Sequence, residues 1–119
     1  MPQGRSELGA DGEAATARIY ESTGFRVLAH NWRCRLGELD LVAAKGDLLV
    51  FCEVKTRRGS GFGGGWEAVT PRKQAKVRAL AEAFLLACAH RPTRVRFDVA
   101  SVLQRPGGLP EVEIFEDAF

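Results

Sequence analysis

The sequence predicts a single α/β domain in which helices flank a mixed central sheet, with the element order αβββαββ. The chain has 119 residues, of which 45% are apolar and 27% charged; this is enough for one buried core and too short for a second domain. Two segments carry the composition and end signals of helices. Five short apolar segments bounded by turn residues have the pattern of strands. We place the core of this domain, residues 1–119, at about 6–115, with loose ends at 1–5 and 116–119.

The first half of the chain predicts one helix and then three strands. Residues 6–23 are rich in alanine; Ser6 can act as the N-cap, and Gly24 stands where a left-handed residue ends a helix. The three strands are predicted at residues 25–34, 37–43 and 48–55. The third is the clearest, because it is a nearly continuous apolar run whose last residues become charged.

The second half predicts a loop, a second helix and two more strands. Residues 57–69 form a glycine-rich loop, and Thr70-Pro71 supplies the start signals of the helix. Apolar residues at helical spacing predict that this helix covers the sheet through about residue 88: Val77, Leu80, Ala81, Phe84, Leu85 and Cys88. The last two strands are predicted at residues 94–103 and 111–115, divided by the turn Pro106-Gly107-Gly108.

The sequence encodes neither a membrane segment nor a cysteine framework. No apolar run approaches the roughly 20 residues that a membrane span needs, and the N-terminus lacks the apolar region of a secretory signal. We therefore expect a cytoplasmic protein without a membrane partner. Cys34, Cys52 and Cys88 are odd in number and widely spaced, which favours buried free thiols over disulfides or a zinc site.

Charge is distributed unevenly along the chain. The formal charge is −1 over residues 1–52, +7 over 53–96 and −4 over 97–119. The basic middle is compatible with a surface that faces phosphate, with Phe62 and Trp66 interleaved as stacking groups. The alternative is a solvated helix face that the acidic tail neutralises, and charge alone does not decide between the two. The basic residues concerned are Arg57, Arg58, Arg72, Lys73, Lys76, Arg78, Arg91, Arg94 and Arg96.

The second and third strands bring carboxylates to one face of the sheet. Side chains alternate between the faces of a strand, so Glu38 and Asp40 share one face, as do Glu53 and Lys55. A two-residue turn at Gly46-Asp47 would place Asp40 opposite Glu53, and a turn at Lys45-Gly46 keeps the same faces together. Either hairpin therefore gathers two or three acids and one lysine on one patch.

Such a patch predicts a divalent cation. Two like charges at about 4 Å repel by roughly 4 kcal/mol at a protein-like dielectric, and a cation removes this cost. Carboxylate oxygens suit Mg²⁺ or Mn²⁺, the carbonyl of Val54 could add a ligand, and Lys55 could orient a water. A cross-strand ion pair between Glu38 and Lys55 is the alternative, and it leaves the neighbouring acids unexplained.

Several segments together resemble a known family. The arrangement of Asp40 and Glu53-Val54-Lys55 between two helices resembles the restriction-endonuclease-like core of the PD-(D/E)XK nucleases. The chain is more closely similar to the small bacterial nuclease-like proteins of the YraN-like family, over residues 13–103, with the final Glu116-Asp117-Ala118-Phe119 as a further candidate segment. The segments that carry this resemblance are Gly37-Glu38-Leu39-Asp40-Leu41-Val42, Val50-Phe51-Cys52-Glu53-Val54-Lys55-Thr56-Arg57, Phe62-Gly63, Glu67-Ala68-Val69, Arg72-Lys73-Gln74 and Arg96-Phe97-Asp98-Val99.

The resemblance implies a role for individual residues. Asp40 and Glu53 would bind the metal, and Lys55 would assist the attacking water. Glu13 would match the helix acid that completes the site in resolvase-like members, and Gln74 resembles the helix glutamine of some nuclease relatives. Periodicity does not say which way Glu13 points, and a surface position is the alternative for both.

The glycine-rich loop is interpreted together with the basic residues around it. Gly59-x-Gly61-x-x-Gly64 matches the dinucleotide fingerprint formally, but it does not lead directly into a helix. A loop that closes on a polynucleotide backbone fits its basic flanks better, and a mobile connection is the alternative. The predicted nucleic-acid-binding residues are Arg57, Arg58, Arg72, Lys73 and Lys76.

These observations predict a metal-dependent endonuclease that hydrolyses phosphodiester bonds in DNA, with branched or repair intermediates as candidate substrates. The alternative is a nucleic-acid-binding or adaptor protein that keeps the nuclease fold without turnover. The residues do not separate DNA from RNA. The resemblance to resolvases makes a homodimer a state to test.

Overall fold

A computed structural model of the chain describes residues 7–58, 69–89 and 91–119. It confirms the predicted α/β class and the element order. The elements are α1 (Glu7–Ser22), β1 (Arg26–Cys34), β2 (Gly37–Lys45), β3 (Leu48–Arg58), α2 (Pro71–Cys88), β4 (Arg94–Gln104) and β5 (Glu111–Phe115). The predicted N-cap Ser6, the glycines 59–64, Phe62 and Trp66 lie outside the described residues. No helix in the described ranges is long and apolar enough to span a membrane.

The five strands form one mixed sheet in the order β1-β2-β3-β4-β5. All neighbouring pairs are antiparallel except β3 and β4, which run parallel and are joined through α2. Lys45 pairs with Leu48, which confirms the two-residue turn at Gly46-Asp47. Gly46 has a φ of 59°, the left-handed backbone that such hairpin turns require and glycine adopts without strain.

The third strand is longer than the sequence indicated. It runs to Arg58 rather than Lys55, because its parallel pairing with β4 continues as far as Arg58 opposite Gln104. Apolar alternation has already ended in this part of the strand. The backbone ladder, which leaves no mark on the residue pattern, therefore sets the end of β3.

Each face of the sheet is covered by one helix. α1 packs on a cluster that includes Ala17, Tyr20 and Val50, and α2 packs on a cluster that includes Phe51 and Phe84. The rings of Phe51 and Phe84 meet edge to face, 5.8 Å between centroids, a favoured aromatic geometry. The core therefore has two halves separated by the sheet.

The second helix begins as predicted and buries less of its length than predicted. Thr70 is the N-cap, and its side chain accepts a hydrogen bond from the backbone N–H of Lys73. The buried residues are Val77, Leu80, Ala81 and Phe84. Cys88 is exposed, so the predictions that it is a buried thiol and that the apolar stripe reaches it are wrong. Ala89 ends the helix in a left-handed conformation one residue later.

Residues 116–119 are docked on the domain, which corrects the expectation of a loose end. The N–H of Ala118 donates to the carbonyl of Phe97 at 2.7 Å. The ring of Phe119 stacks on that of Phe97 with centroids 5.2 Å apart. The guanidinium of Arg78 lies 4.7 Å and 5.6 Å from the centroids of these two rings. The backbone hydrogen bond and the aromatic and cation–π contacts together hold the segment on the domain.

A buried polar network joins α1 to β4. Asp98 is fully buried, and one carboxylate oxygen accepts a 2.6 Å hydrogen bond from the hydroxyl of Tyr20. The guanidinium of Arg96 donates to both oxygens at 2.9 Å, and the N–H of Asp117 donates at 3.0 Å. Burial, with the neighbouring Cys52 and Asp98, raises the pKa of Tyr20. Tyr20 therefore stays protonated and donates to Asp98.

Gly12 allows α1 to approach the sheet closely. A Cβ at this position would clash with the side chain of Thr56 in β3. We expect Gly12→Ala to lower the free energy of unfolding by about 1–2 kcal/mol, because the overpacking cost exceeds the roughly 1 kcal/mol that alanine gains in a helix. Urea denaturation measures this. Gly108→Ala is the control, since a Cβ there meets nothing within 4 Å; a Gly12→Ala protein as stable as this control would contradict the close contact.

Candidate metal centre

The site lies where β2 and β3 separate. Their backbone pairing ends at Leu41 opposite Cys52, although both strands continue. Beyond that point the N–H of Val54 donates to a carboxylate oxygen of Asp40 at 2.8 Å. The carboxylate of Asp40 therefore accepts from Val54 where the next backbone hydrogen bond between β2 and β3 would have formed, and this contact fixes the orientation of Asp40.

The side-chain alternation of β2 is interrupted at the same place. Leu39 and Val42 lie in the same core cluster, although strict alternation puts residues three apart on opposite faces. Asn31 in β1 has a φ of 51°, which is unusual for a strand residue. β2 is thus irregular around Asp40, a common feature of strands beside functional sites.

The carbonyl of Val54 lies on the edge of β3 that faces β2. In a strand the N–H and C=O of one residue point to the same side, and the N–H of Val54 is directed at the Asp40 carboxylate. Its carbonyl thus lies beyond the end of the β2–β3 ladder, on the side of the candidate site. The role of this carbonyl as a metal ligand stays a prediction.

Glu53 is the second acid of the site and is paired with a lysine. It is buried, with 6% of its surface exposed, and its Oε1 lies 3.1 Å from Nζ of Lys73 in the first turn of α2. The sequence predicts Lys73 on the nucleic-acid surface and gives no indication of this ion pair. A charge this deeply buried requires a partner, so a counter-ion for Glu53 could have been sought among the nearby lysines.

These groups line a cavity between the sheet and α2. Its volume is about 360 Å³. The charged lining is contributed by β2, β3 and the N-terminal turns of α2: Glu38, Asp40, Glu53, Lys55, Lys73 and Lys76. The structure thus brings three predicted site residues, Asp40, Glu53 and Lys55, to one cavity, together with two of the predicted phosphate-binding lysines.

Asp40 is held in an environment that disfavours its charge. Burial, the charge of Glu53 and the charge of Glu13 together raise the pKa of Asp40 to about 7, against the opposing effect of the hydrogen bond from Val54 and the charge of Lys73. A cation beside the two carboxylates would offset this cost. The donor set therefore fits a metal ion in its electrostatics.

The number of protein donors suits Mg²⁺ or Mn²⁺ only if water molecules complete the coordination shell of the ion. Within residues 7–58, 69–89 and 91–119, no three His, Cys, Asp or Glu side chains come together as a metal-binding group. Asp40, Glu53 and the carbonyl of Val54 remain. Mg²⁺ is commonly bound by one or two carboxylates and keeps several waters or substrate oxygens, so this set is adequate.

Glu13 points inward from α1. It is buried, with 6% of its surface exposed, which answers the question that periodicity left open. Its charge acts on Asp40, but it is not part of a three-residue ligand group with Asp40 and Glu53. Glu13 is therefore close enough to Asp40 for its charge to disfavour ionisation of that carboxyl.

Two other predicted residues lie at the margin of the site. The side-chain amide of Gln74 donates to the carbonyl of Val69 at 2.8 Å, which holds the chain just before α2. Gln74 does not line the cavity. Glu38 does line it and forms an ion pair with Arg33, 3.5 Å between Oε1 and Nε. Glu38 is therefore paired with a basic residue of β1, whereas the sequence suggests Lys55 of β3 as its partner.

The basic residues of the middle segment separate into two groups. Arg57 and Arg58 end β3, and Arg72 begins α2 beside the cavity lysines. Arg78 instead stacks on aromatic rings, and Arg96 binds Asp98. Arg78 and Arg96 thus stabilise the fold, whereas Arg57, Arg58 and Arg72 form the candidate surface for phosphate near the cavity.

The raised pKa of Asp40 gives a pH prediction for the metal-free protein. A carboxyl whose pKa rises from 3.8 in the unfolded chain to about 7 in the fold stabilises the fold fully below pH 3.8. This contribution to the free energy of unfolding is at most about 4 kcal/mol, and it is lost as the pH rises through 7. We expect wild-type stability in EDTA, relative to Asp40→Asn, to fall between pH 4 and 8. Parallel urea profiles for the two proteins would contradict this.

Comparison with known proteins places the chain among close relatives. The profile of the "Uncharacterised protein family UPF0102" matches residues 12–102. The chain is 48% identical to a "UPF0102 protein" of Acidothermus cellulolyticus, over 97% of this chain and 95% of the relative. It is 48% identical to one of Rhodococcus opacus (94% and 95%) and 45% identical to one of Pelotomaculum thermopropionicum (100% and 100%). The matches extend over the whole candidate site.

Proposed function

The chain belongs to the UPF0102 family, which is the YraN family indicated by its sequence, and we propose that it is a metal-dependent endonuclease that acts on DNA. The observation that supports this most strongly is the convergence of Asp40, Glu53 and Lys55 on one cavity beside a basic helix start. Two acids that can hold a cation and a lysine that faces the same space can together support metal-assisted phosphodiester hydrolysis.

Each group would have a separate task. Asp40 and Glu53 would hold Mg²⁺ through their carboxylates, with the carbonyl of Val54 as a third protein ligand. When bound, the ion supplies positive charge for the phosphate oxygens and lowers the pKa of water. Lys55 would orient the attacking water and stabilise the negative charge that develops on the phosphate.

The surface around the cavity would bind the DNA backbone. Four basic residues lie around the cavity or at the ends of the elements that form it: Arg57 and Arg58 at the end of β3, Arg72 in the first turn of α2 and Lys76 in its second turn. Contacts to phosphate position DNA without reading its sequence. We therefore expect binding that weakens steeply with salt and shows little base preference.

The decisive test is cleavage by the pure wild-type protein. Linear, branched, flapped and single-stranded DNA, with matched RNA, would be incubated with Mg²⁺, with Mn²⁺ and with EDTA. Cleavage that requires the cation supports the proposal, and the DNA-to-RNA ratio identifies the substrate class. Absence of cleavage on every substrate with either cation would contradict enzymatic activity.

A non-catalytic adaptor is the second candidate, and one observation favours it. Glu53 already has a counter-ion in Lys73, so this carboxylate is stable in the fold without a metal. An adaptor would bind nucleic acid in a salt-sensitive way, and its binding would survive Asp40→Ala. Cleavage by the wild type would contradict it.

Two further parts of the proposal are the cellular compartment and the assembly state. A cytoplasmic location would give the enzyme access to bacterial DNA. A homodimer would give a 13.0 kDa domain a second basic surface and longer reach along DNA. Sedimentation of the pure protein, with and without branched DNA, would measure the assembly state.

A further inference from the structure

The first turns of α2 carry positive charge where a helix disfavours it. The amino end of a helix is the positive end of its dipole, so acids stabilise it and lysines do not. No acidic residue occurs in the first turn of α2, which instead contains Arg72 and Lys73. A requirement other than helix stability therefore accounts for these residues.

Lys73 meets such a requirement by neutralising Glu53. Its Nζ lies 3.1 Å from Oε1 of Glu53, whose side chain is 8% exposed, while the Lys73 side chain is 51% exposed. The backbone of Lys73 is fixed by the N-cap bond to Thr70. The lysine is thus anchored at its base and half exposed to solvent, so its ammonium can leave Glu53 without disturbing the helix.

A divalent cation on Glu53 would compete with this ammonium. Both are cations that bind the same buried carboxylate. Asp40 and Glu53 carry two negative charges, which balance the charge of a divalent ion and leave none for the ammonium of Lys73. If Lys73 stayed in place, the cavity would hold the cation together with three lysines, Lys55, Lys73 and Lys76. Mutual repulsion then favours release of the half-exposed ammonium.

We propose that Lys73 is the resident counter-ion of Glu53, that it leaves when the carboxylate takes a divalent cation, and that the released ammonium then binds a DNA phosphate at the mouth of the cavity. This inference rests on the proposed function, because it assumes that the site binds metal and DNA. Lys73 is thereby a coupling residue: metal binding makes a phosphate-binding group available.

Exchange of this kind has a definite thermodynamic consequence. If the cation releases Lys73 to DNA, then metal strengthens DNA binding and DNA strengthens metal binding by the same factor. Removing Lys73 has opposite effects on the two ligands. Metal binding alone becomes tighter, since the competitor is gone, while the gain in DNA affinity on adding metal becomes smaller.

The test uses Lys73→Met, which keeps the length of the side chain and removes the charge. Titration of Mn²⁺ into the DNA-free protein at pH 8 should show binding at least about fivefold tighter than wild type. Lys73→Arg should bind Mn²⁺ no more tightly than wild type, because it keeps a cation paired with Glu53. Arg72→Met is the matched control for loss of one positive charge in the same turn, and its effect on Mn²⁺ affinity should be smaller than that of Lys73→Met.

The second measurement is duplex DNA binding by fluorescence anisotropy, in EDTA and in Ca²⁺ at constant ionic strength. Ca²⁺ should strengthen wild-type binding by about tenfold and Lys73→Met binding by less than about threefold. If Lys73 were purely structural, replacing it would not both tighten metal binding and weaken the coupling between metal binding and DNA binding. Thermal melting of both proteins confirms that the fold is kept.

The outcomes separate this inference from the function on which it rests. The exchange is wrong if wild type binds Mn²⁺ and Lys73→Met binds it no more tightly. It is also wrong if Ca²⁺ strengthens DNA binding equally in both proteins. In either case the nuclease proposal is unaffected. If wild type binds no Mn²⁺ with or without DNA, both are wrong, and Lys73 is the permanent partner of Glu53.

Discussion

Asp98→Ala is expected to lower the free energy of unfolding by about 3–5 kcal/mol. The carboxylate is fully buried and accepts hydrogen bonds from Tyr20, Arg96 and the backbone of Asp117. Its removal leaves the Tyr20 hydroxyl without this acceptor and leaves the Arg96 charge with only the more exposed Glu116, and buried donors without acceptors are costly. Urea denaturation followed by circular dichroism measures the loss.

Two further variants keep this prediction testable if Asp98→Ala does not fold. Tyr20→Phe removes only the hydroxyl and should cost about 1–2 kcal/mol. Glu116→Ala removes the exposed partner of Arg96, 3.7 Å away, and should cost less than about 0.5 kcal/mol. Equal stability of Tyr20→Phe and Glu116→Ala would show that the buried network contributes nothing beyond a surface ion pair.

Asp40→Asn is expected to weaken Mn²⁺ binding by at least about 100-fold and to reduce DNA cleavage by about 1000-fold or more. Asparagine keeps an oxygen that can accept from the N–H of Val54, so β2 and β3 keep their geometry. It removes the charge that a divalent ion requires. Isothermal titration with Mn²⁺ and single-turnover cleavage measure the two effects.

The matched control for Asp40→Asn is Glu38→Gln. Glu38 lines the same cavity and loses the same charge, but it is paired with Arg33 and is not assigned as a ligand. We expect its metal affinity to fall by less than about fivefold. Losses of similar size in both variants would mean that metal binding depends on the overall charge of the cavity and not on coordination by Asp40.

The sequence could predict the part of the site that lies on one hairpin. Strand alternation and a two-residue turn place Asp40 near Glu53 and Lys55, and the structure brings these three to one cavity. The predicted rung between Asp40 and Glu53 is absent from the β2–β3 pairing, which ends one residue pair earlier at Leu41 and Cys52. Local rules therefore located the acids but not the irregular backbone that directs them.

The contacts that sequence reasoning missed join distant parts of the chain. Lys73 pairs with Glu53 across the α2 crossover, and Tyr20 reaches Asp98 over 78 residues. Neither spacing has a periodic signature. One signal was available: Asp98 stands inside the apolar run of a predicted strand, and a buried acid requires a donor. That rule predicts a partner for Asp98, although it does not say which residue supplies it.

The distance along the chain between Tyr20 and Asp98 bears on how the protein is made. At about 5–20 residues per second, Asp98 is synthesised about 4–16 s after Tyr20. During that interval the apolar face of α1 has been produced, while β4, which supplies the acceptor for Tyr20, has not. For that interval the apolar face of α1 lacks part of the sheet that covers it in the finished fold, and apolar surface exposed in this way favours aggregation of the nascent chain.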